Sequence, residues 1–190
     1  MVYNDSMSKS ISGFTIVELL VVIVVVGILA SITAVTYNGV QKRTQNENRA
    51  AQLQTWESVF NRYKAKNGNV PLPSTGDGVG YCLGTGFPNG FDGQPRCRDY
   101  LYNGSTSLLE SNASTLMNEL GTVTANLPGG PYIPVEGTVG PYVYYWGGST
   151  GNLQLTGIFY GFATTDCPDG TEYSWKDDKG LLICSIYIDK

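Results

Sequence analysis

From Leu19 to Ala30 the chain reads LLVVIVVVGILA, twelve consecutive residues without a polar side chain, and this run restricts the possible folds more than any other feature. With Ser31 and Thr33 as mild interruptions, the apolar stretch continues to Val35. Counted from Phe14 it holds 22 residues, which as a helix would cover ~33 Å, enough to cross the ~30 Å hydrocarbon core of a bilayer. The β-branched residues from Val21 to Val26 disfavour helix in water. In lipid, however, the backbone must satisfy its own hydrogen bonds, and a lone segment does so only as a helix. The expectation is a membrane-spanning helix over about 14–35.

Glu18 stands inside this stretch. An intramembrane carboxylate costs a few kcal/mol unless it finds a partner, and no Lys or Arg occurs between Lys9 and Lys42. A cut between Gly13 and Phe14 would create an α-ammonium at Phe14, one helical turn away, that could pair with Glu18 of the same chain or of a neighbouring copy. Residues 1–13 (MVYNDSMSKSISG) suit a removable leader: they are polar and carry Lys9 near the apolar run, and a start at Met7 would leave only MSKSISG. This is not an ordinary secretory signal, because the cut would precede the apolar segment and leave it in the mature protein.

The segment Gly13-Phe14-Thr15-Ile16-Val17-Glu18-Leu19-Leu20 resembles the prepilin signal of type IV pilins and of the pseudopilins of type II secretion. The resemblance implies that a membrane-embedded prepilin peptidase cuts after Gly13 and methylates the new amino terminus at Phe14. It also implies that Glu18 is the acidic residue used in subunit assembly. The partners it implies are membrane lipid before assembly, the assembly machinery, and further copies of the chain in a helical filament. No cofactor is implied.

The helix should continue well beyond the apolar run. Ala50, Leu53, Trp56, Phe60 and Tyr63 recur at three- and four-residue steps among polar neighbours, the pattern of a helix with one covered face. Lys64 and Lys66 suit its C-terminus, and Asn67-Gly68 followed by Pro71 supplies the stop. Asn67-Gly68-Asn69-Val70-Pro71 is also similar to the NGxYP-type segment that ends the long helix of many pilins, with Val in place of the aromatic. Many members carry a proline about twenty residues after the cut; here Pro71 is the first in the chain, and only Gly27 or Asn38-Gly39 could weaken the helix earlier. Lys42 and Arg43 read as interfacial anchors.

The expected organisation is therefore a leader at 1–13, a long helix at 14–67 and a globular head at 68–190, an α+β fold with the helix on an antiparallel sheet. The formal charge of -4 divides unevenly: residues 14–67 sum to +3 and residues 68–190 to -7. An acidic head disfavours nucleic acid as a partner, a basic spot at Arg96 and Arg98 aside. Residues 71–100, crowded with turn formers, read as an irregular loop held by a crosslink. Residues 107–120 read as a short helix with Leu109, Ala113, Leu116 and Leu120 on one face. Runs at 142–146, 153–162 and 181–188 read as strands.

Cys82, Cys97, Cys167 and Cys184 allow three pairings, of which neighbour pairing is preferred because it closes short loops worth ~3 kcal/mol each. Zinc is the rival reading, but the sequence holds no CxxC and no His. By resemblance, 167–184 would match the disulfide-bounded surface loop of pilins. Asp166, Asp169, Asp177 and Asp178 are weak candidates for Ca²⁺, which some pseudopilins bind in that region, although their spacing is not that of an EF-hand. Tyr142, Tyr144 and Trp146 alternate onto one sheet face, as core or as an adhesive surface. Without histidine no Ser/His/Asp or Cys/His catalytic arrangement exists, and no other nucleophile has a recognisable base. The expectation is a non-enzymatic subunit, first a single-pass membrane protein and then part of a type IV pilus-like filament on the cell surface. The alternatives are a type II secretion pseudopilin and a minor pilin that captures DNA or a surface ligand.

Overall fold

The computed structural model describes residues 14–71, 78–90, 92–98, 108–130, 132, 139–145, 153–159, 167–176 and 181–189. The chain divides into two compact units, Met1–Gln41 and Lys42–Lys190. Helix α1 (Ile16–Asn67, 52 residues) supplies the described secondary structure of the first unit and opens the second. The large apolar side chains from Phe14 to Ile32 are 48–85% exposed. The span expected at about 14–35 covers the start of this helix. Among the described residues, no helix is long and apolar enough to cross a membrane.

The second unit is built on one five-stranded antiparallel sheet, in the order β1 (Val79–Cys82), β4 (Tyr142–Tyr145), β5 (Leu153–Phe159), β7 (Leu182–Ile188), β6 (Glu172–Lys176). A separate ribbon pairs β2 (Arg96–Arg98) with β3 (Leu108–Leu109). The pleat assigns the two faces of the sheet. The register Tyr81↔Val143, Val143↔Leu155 and Leu155↔Ile186 puts these four side chains on one face, where they join Ala50, Leu53, Trp56, Val59 and Phe60 of α1 in a single core. Trp56 and Phe60 are 0% exposed. At ~1.5–3 kcal/mol for each fully buried large side chain, this stripe contributes on the order of 10 kcal/mol to holding the helix on the sheet. Tyr63, the last residue of the expected stripe, is half-buried and donates a hydrogen bond to the Glu119 carboxylate.

The opposite face of the sheet carries Cys82, Tyr142 and Thr156 in one row and Gly80, Tyr144 and Gln154 in the next. The β2–β3 ribbon covers part of it. The Arg98 guanidinium lies over the rings of Tyr142 and Tyr144, 5.6 and 5.4 Å from their centroids. At Gly80 a Cβ would fall 2.7 Å from the Tyr144 ring and 2.9 Å from Leu108, so only glycine admits this close stacking.

Three local expectations need correction. Residues 71–100 are not wholly irregular: they contain β1 and β2, which form through pairing with β4 and β3 and not through local propensity. The helix expected from 107 begins later. Leu108 and Leu109 are drawn into β3, Glu110–Ala113 forms a 3-10 turn, and α2 covers Ser114–Gly121. The Glu110 carboxylate fixes that turn by accepting the amides of Gly86 and Phe87 at 3.0 and 3.1 Å. The buried face of the expected helix survives, with Ala113, Leu116 and Leu120 all in the core. Strand β6 was not expected at all.

The end of α1 is tied down as its last residues suggested. Gly68 adopts φ 79° and donates its amide to the Lys64 carbonyl, a left-handed cap that glycine adopts without strain. Lys64 reaches the Asp189 carbonyl at 2.8 Å and Lys66 the Thr122 carbonyl at 2.9 Å.

Candidate functional site

The site with the most specific sequence signal is the start of α1. Thr15 precedes the first helical residue and Glu18 occupies the third helical position. The Thr15 amide donates to Glu18 Oε2 at 2.9 Å and the Thr15 hydroxyl donates to the same oxygen at 2.7 Å. In return the Glu18 amide donates to Thr15 Oγ1 at 3.3 Å. This is a capping box, the reciprocal bonding of a Thr and a Glu three residues apart that satisfies helix amides left without intrahelical acceptors. The signal was present in the sequence as Thr15-Ile16-Val17-Glu18. The charge argument asked for a cation, yet two neutral donors on Thr15 already solvate the carboxylate. Phe14, 75% exposed, lies just outside the helix. Gly13 lies outside the described residues.

Chemically, this end of the helix presents a carboxylate held by the amide and hydroxyl of Thr15 and heads a run of exposed apolar side chains. Covering such a run, at ~1.5–3 kcal/mol per large side chain, would release tens of kcal/mol. Lipid or other helices would supply the cover.

The structure joins Cys82 to Cys97 and Cys167 to Cys184. The first crosslink ties β2 to the outer face of the sheet. The second emerges on the opposite face, since Cys184 pairs with Gly157 in register with Leu155↔Ile186. There the turn after Cys167 meets α1, with the Gln54 amide donating to the Asp169 carbonyl at 3.1 Å. Of the weak calcium candidates only Asp169 is described; Asp166, Asp177 and Asp178 lie outside the described residues. Among those described, no three His, Cys, Asp or Glu side chains are grouped to hold a metal ion.

The basic spot does not form as a displayed pair. Arg96 is buried and bonded to Asp92, and its hydrogen bond holds the Asp92 carboxyl below the usual aspartate value. Arg98 is engaged with Tyr142 and Tyr144, donating to the Tyr144 hydroxyl. Of the alternating aromatics, Tyr142 is 3% exposed and Tyr144 half-buried, while Trp146 lies outside the described residues. A cleft of ≈ 370 Å³ lies beside α1, lined by Gln45, Asn48, Gln52, Tyr132, Pro141 and Gly157 among others. Burial pushes Tyr132 up to about 12 and its hydroxyl is donated to the Leu83 carbonyl, so it is not placed to move a proton at neutral pH.

Residues 8–34 match the family model of the prokaryotic N-terminal methylation motif. The type II secretion system core protein G of Aeromonas hydrophila is 32% identical over 65 residues, covering 34% of this chain and 46% of that protein. Its namesake from Dickeya chrysanthemi is 31% identical over 73 residues, covering 38% and 48%. The chain thus spans about half the length of the curated relatives it matches. No solved structure matches. The methylation motif and these relatives together support a type IV pilin or pseudopilin family for this chain.

Proposed function

We propose that this protein is a structural subunit of a type IV pilus-like filament, cut after Gly13 and N-methylated at Phe14 by a prepilin peptidase. The observation that carries the proposal is the pairing of a hydrogen-bonded Glu18 with an apolar helical surface left exposed from Phe14 to Ile32. Before assembly the segment at about 14–35 crosses the cell membrane once, with lipid covering it. During assembly the helices of neighbouring copies replace lipid, aided by machinery in the membrane. The Phe14 ammonium created by the cut is a stronger partner for Glu18 than the Thr15 hydroxyl, because a charged donor roughly doubles the bond strength. Exchange of Thr15 for the ammonium of a neighbouring copy sets the axial register.

The alternative reading, a type II secretion pseudopilin, is favoured by the names of both curated relatives. The minor-pilin reading with DNA as ligand loses its cationic surface, since Arg96 and Arg98 are engaged within the head. Glu18→Ala tests the register model. The variant is expected to insert and be cleaved normally yet give no filaments, and wild-type filament yield on electron microscopy would overturn the model. Antibody labelling of sheared cell-surface fibres with serum against residues 68–190 separates pilus from pseudopilus.

A further inference from the structure

The two disulfides differ in how a reductant can reach them. Thiol–disulfide exchange requires a thiolate to approach one sulfur directly, so access at either end decides the rate. Cys82 and Cys97 are both 0% exposed. The Leu108 carbonyl lies 3.4 and 3.9 Å from their sulfurs, and the Cys97 carbonyl accepts the amides of Val139 and Gly140 at 3.1 and 2.7 Å. Reaching that bond means lifting the β2–β3 ribbon off the sheet.

The second bond is asymmetric. Cys184 is 0% exposed within β7, between β5 and β6. Cys167 is only partly buried and opens a turn in which the Thr171 amide and hydroxyl return to the Pro168 carbonyl. The Gln54 side-chain amide donates to the Asp169 carbonyl at 3.1 Å, which ties that turn to α1.

The geometry points to Cys167–Cys184 as a thiol-exchangeable crosslink, entered at Cys167, in a head whose other disulfide is sealed. An external thiolate attacks Cys167 Sγ, the Cys167–Cys184 bond breaks, and Cys184 leaves as a thiolate that takes a proton from water. A second thiolate of the same reductant then attacks the mixed disulfide on its own sulfur. This releases Cys167 as a thiolate, and the reductant departs as its disulfide. Two electrons pass to the protein. The turn at Pro168–Thr171 is then free to leave Gln54, while the β5–β7 ladder stays paired. The inference holds whichever filament the subunit enters.

The test uses the full chain in detergent micelles, treated with graded glutathione, quenched with iodoacetamide and mapped by mass spectrometry. Cys167 and Cys184 are expected to be alkylated at least about tenfold faster than Cys82 and Cys97, with the glutathione adduct trapped on Cys167. Equal rates at all four positions, earlier opening of Cys82–Cys97, or an adduct on Cys184 would each overturn the inference. A Cys82→Ser/Cys97→Ser variant supplies the control: its remaining bond is expected to open at the wild-type rate, and a faster opening would show that access depends on global unfolding.

Discussion

The two ends of helix α1 obey the same backbone geometry under opposite side-chain rules. From Ile16 to Ile32 nearly every position is apolar and exposed. From Ala50 to Phe60 the buried positions, Ala50, Leu53, Trp56, Val59 and Phe60, keep a helical period, while Ala51, Gln54, Thr55 and Ser58 between them face solvent. A segment apolar all round suits cover from every side, by lipid or by other helices, whereas a striped segment suits one neighbour, here its own sheet. The difference separates what stabilises the head from what would drive assembly.

Trp56→Ala sets the two ends against each other with the largest expected effect. Removing a fully buried indole should destabilise the head by ~3–5 kcal/mol, whereas Val24→Ala, at a position 50% exposed, should leave the head's thermal midpoint unchanged. Equal shifts for the two variants would break the comparison. Next is Gly84→Ala, beside Trp56: Gly84 has φ +101°, and a Cβ there would meet the Pro128 carbonyl oxygen at 2.7 Å. Its strain should cost about 1–3 kcal/mol, read from denaturant unfolding.

At the other end, Thr15→Val removes the two bonds made by the Thr15 hydroxyl while keeping its amide bond to Glu18, and should weaken the helix start by ~1 kcal/mol. Faster amide exchange at Ile16 to Leu19 would report it, with Thr15→Ser close to wild type and the head unaffected. The smallest effect is on acid stability. Asp92 has a native pKa below its ordinary 3.8, chiefly through the Arg96 hydrogen bond. Its contribution is therefore complete above the unfolded value and disappears as pH falls through the native one. Asp92→Asn should lower the head's stability slightly near pH 7 and leave it unchanged below the native pKa, where the carboxyl is already protonated, so that the acid limb of the stability curve is flatter.

Much of this molecule was legible from spacing. The stripe on α1 was readable because 3.6-residue periodicity survives in any context that buries one face. The cores of β4, β5 and β7 were readable as runs of β-branched and aromatic residues. The failures share one cause. Val79–Cys82 and Arg96–Arg98 sit among glycines and turn formers, and Leu108–Leu109 precedes a good helix; each becomes strand only because a partner distant in sequence pairs with it. Glu172–Lys176 likewise owes its state to β7. At the N-terminus, the octapeptide beginning at Gly13 pointed to the family, but the hydrogen-bond partner of Glu18 was a local matter of Thr15, three residues away.

The location of β6 has a mechanical consequence. Glu172–Lys176 is the edge strand of the sheet and lies entirely between Cys167 and Cys184. A pulling force transmitted along the oxidised chain crosses from one cysteine to the other through the sulfur–sulfur bond and bypasses the strand. Peeling β6 away would therefore yield no extension, and the sheet edge nearest the end of the sequence carries none of the tensile load.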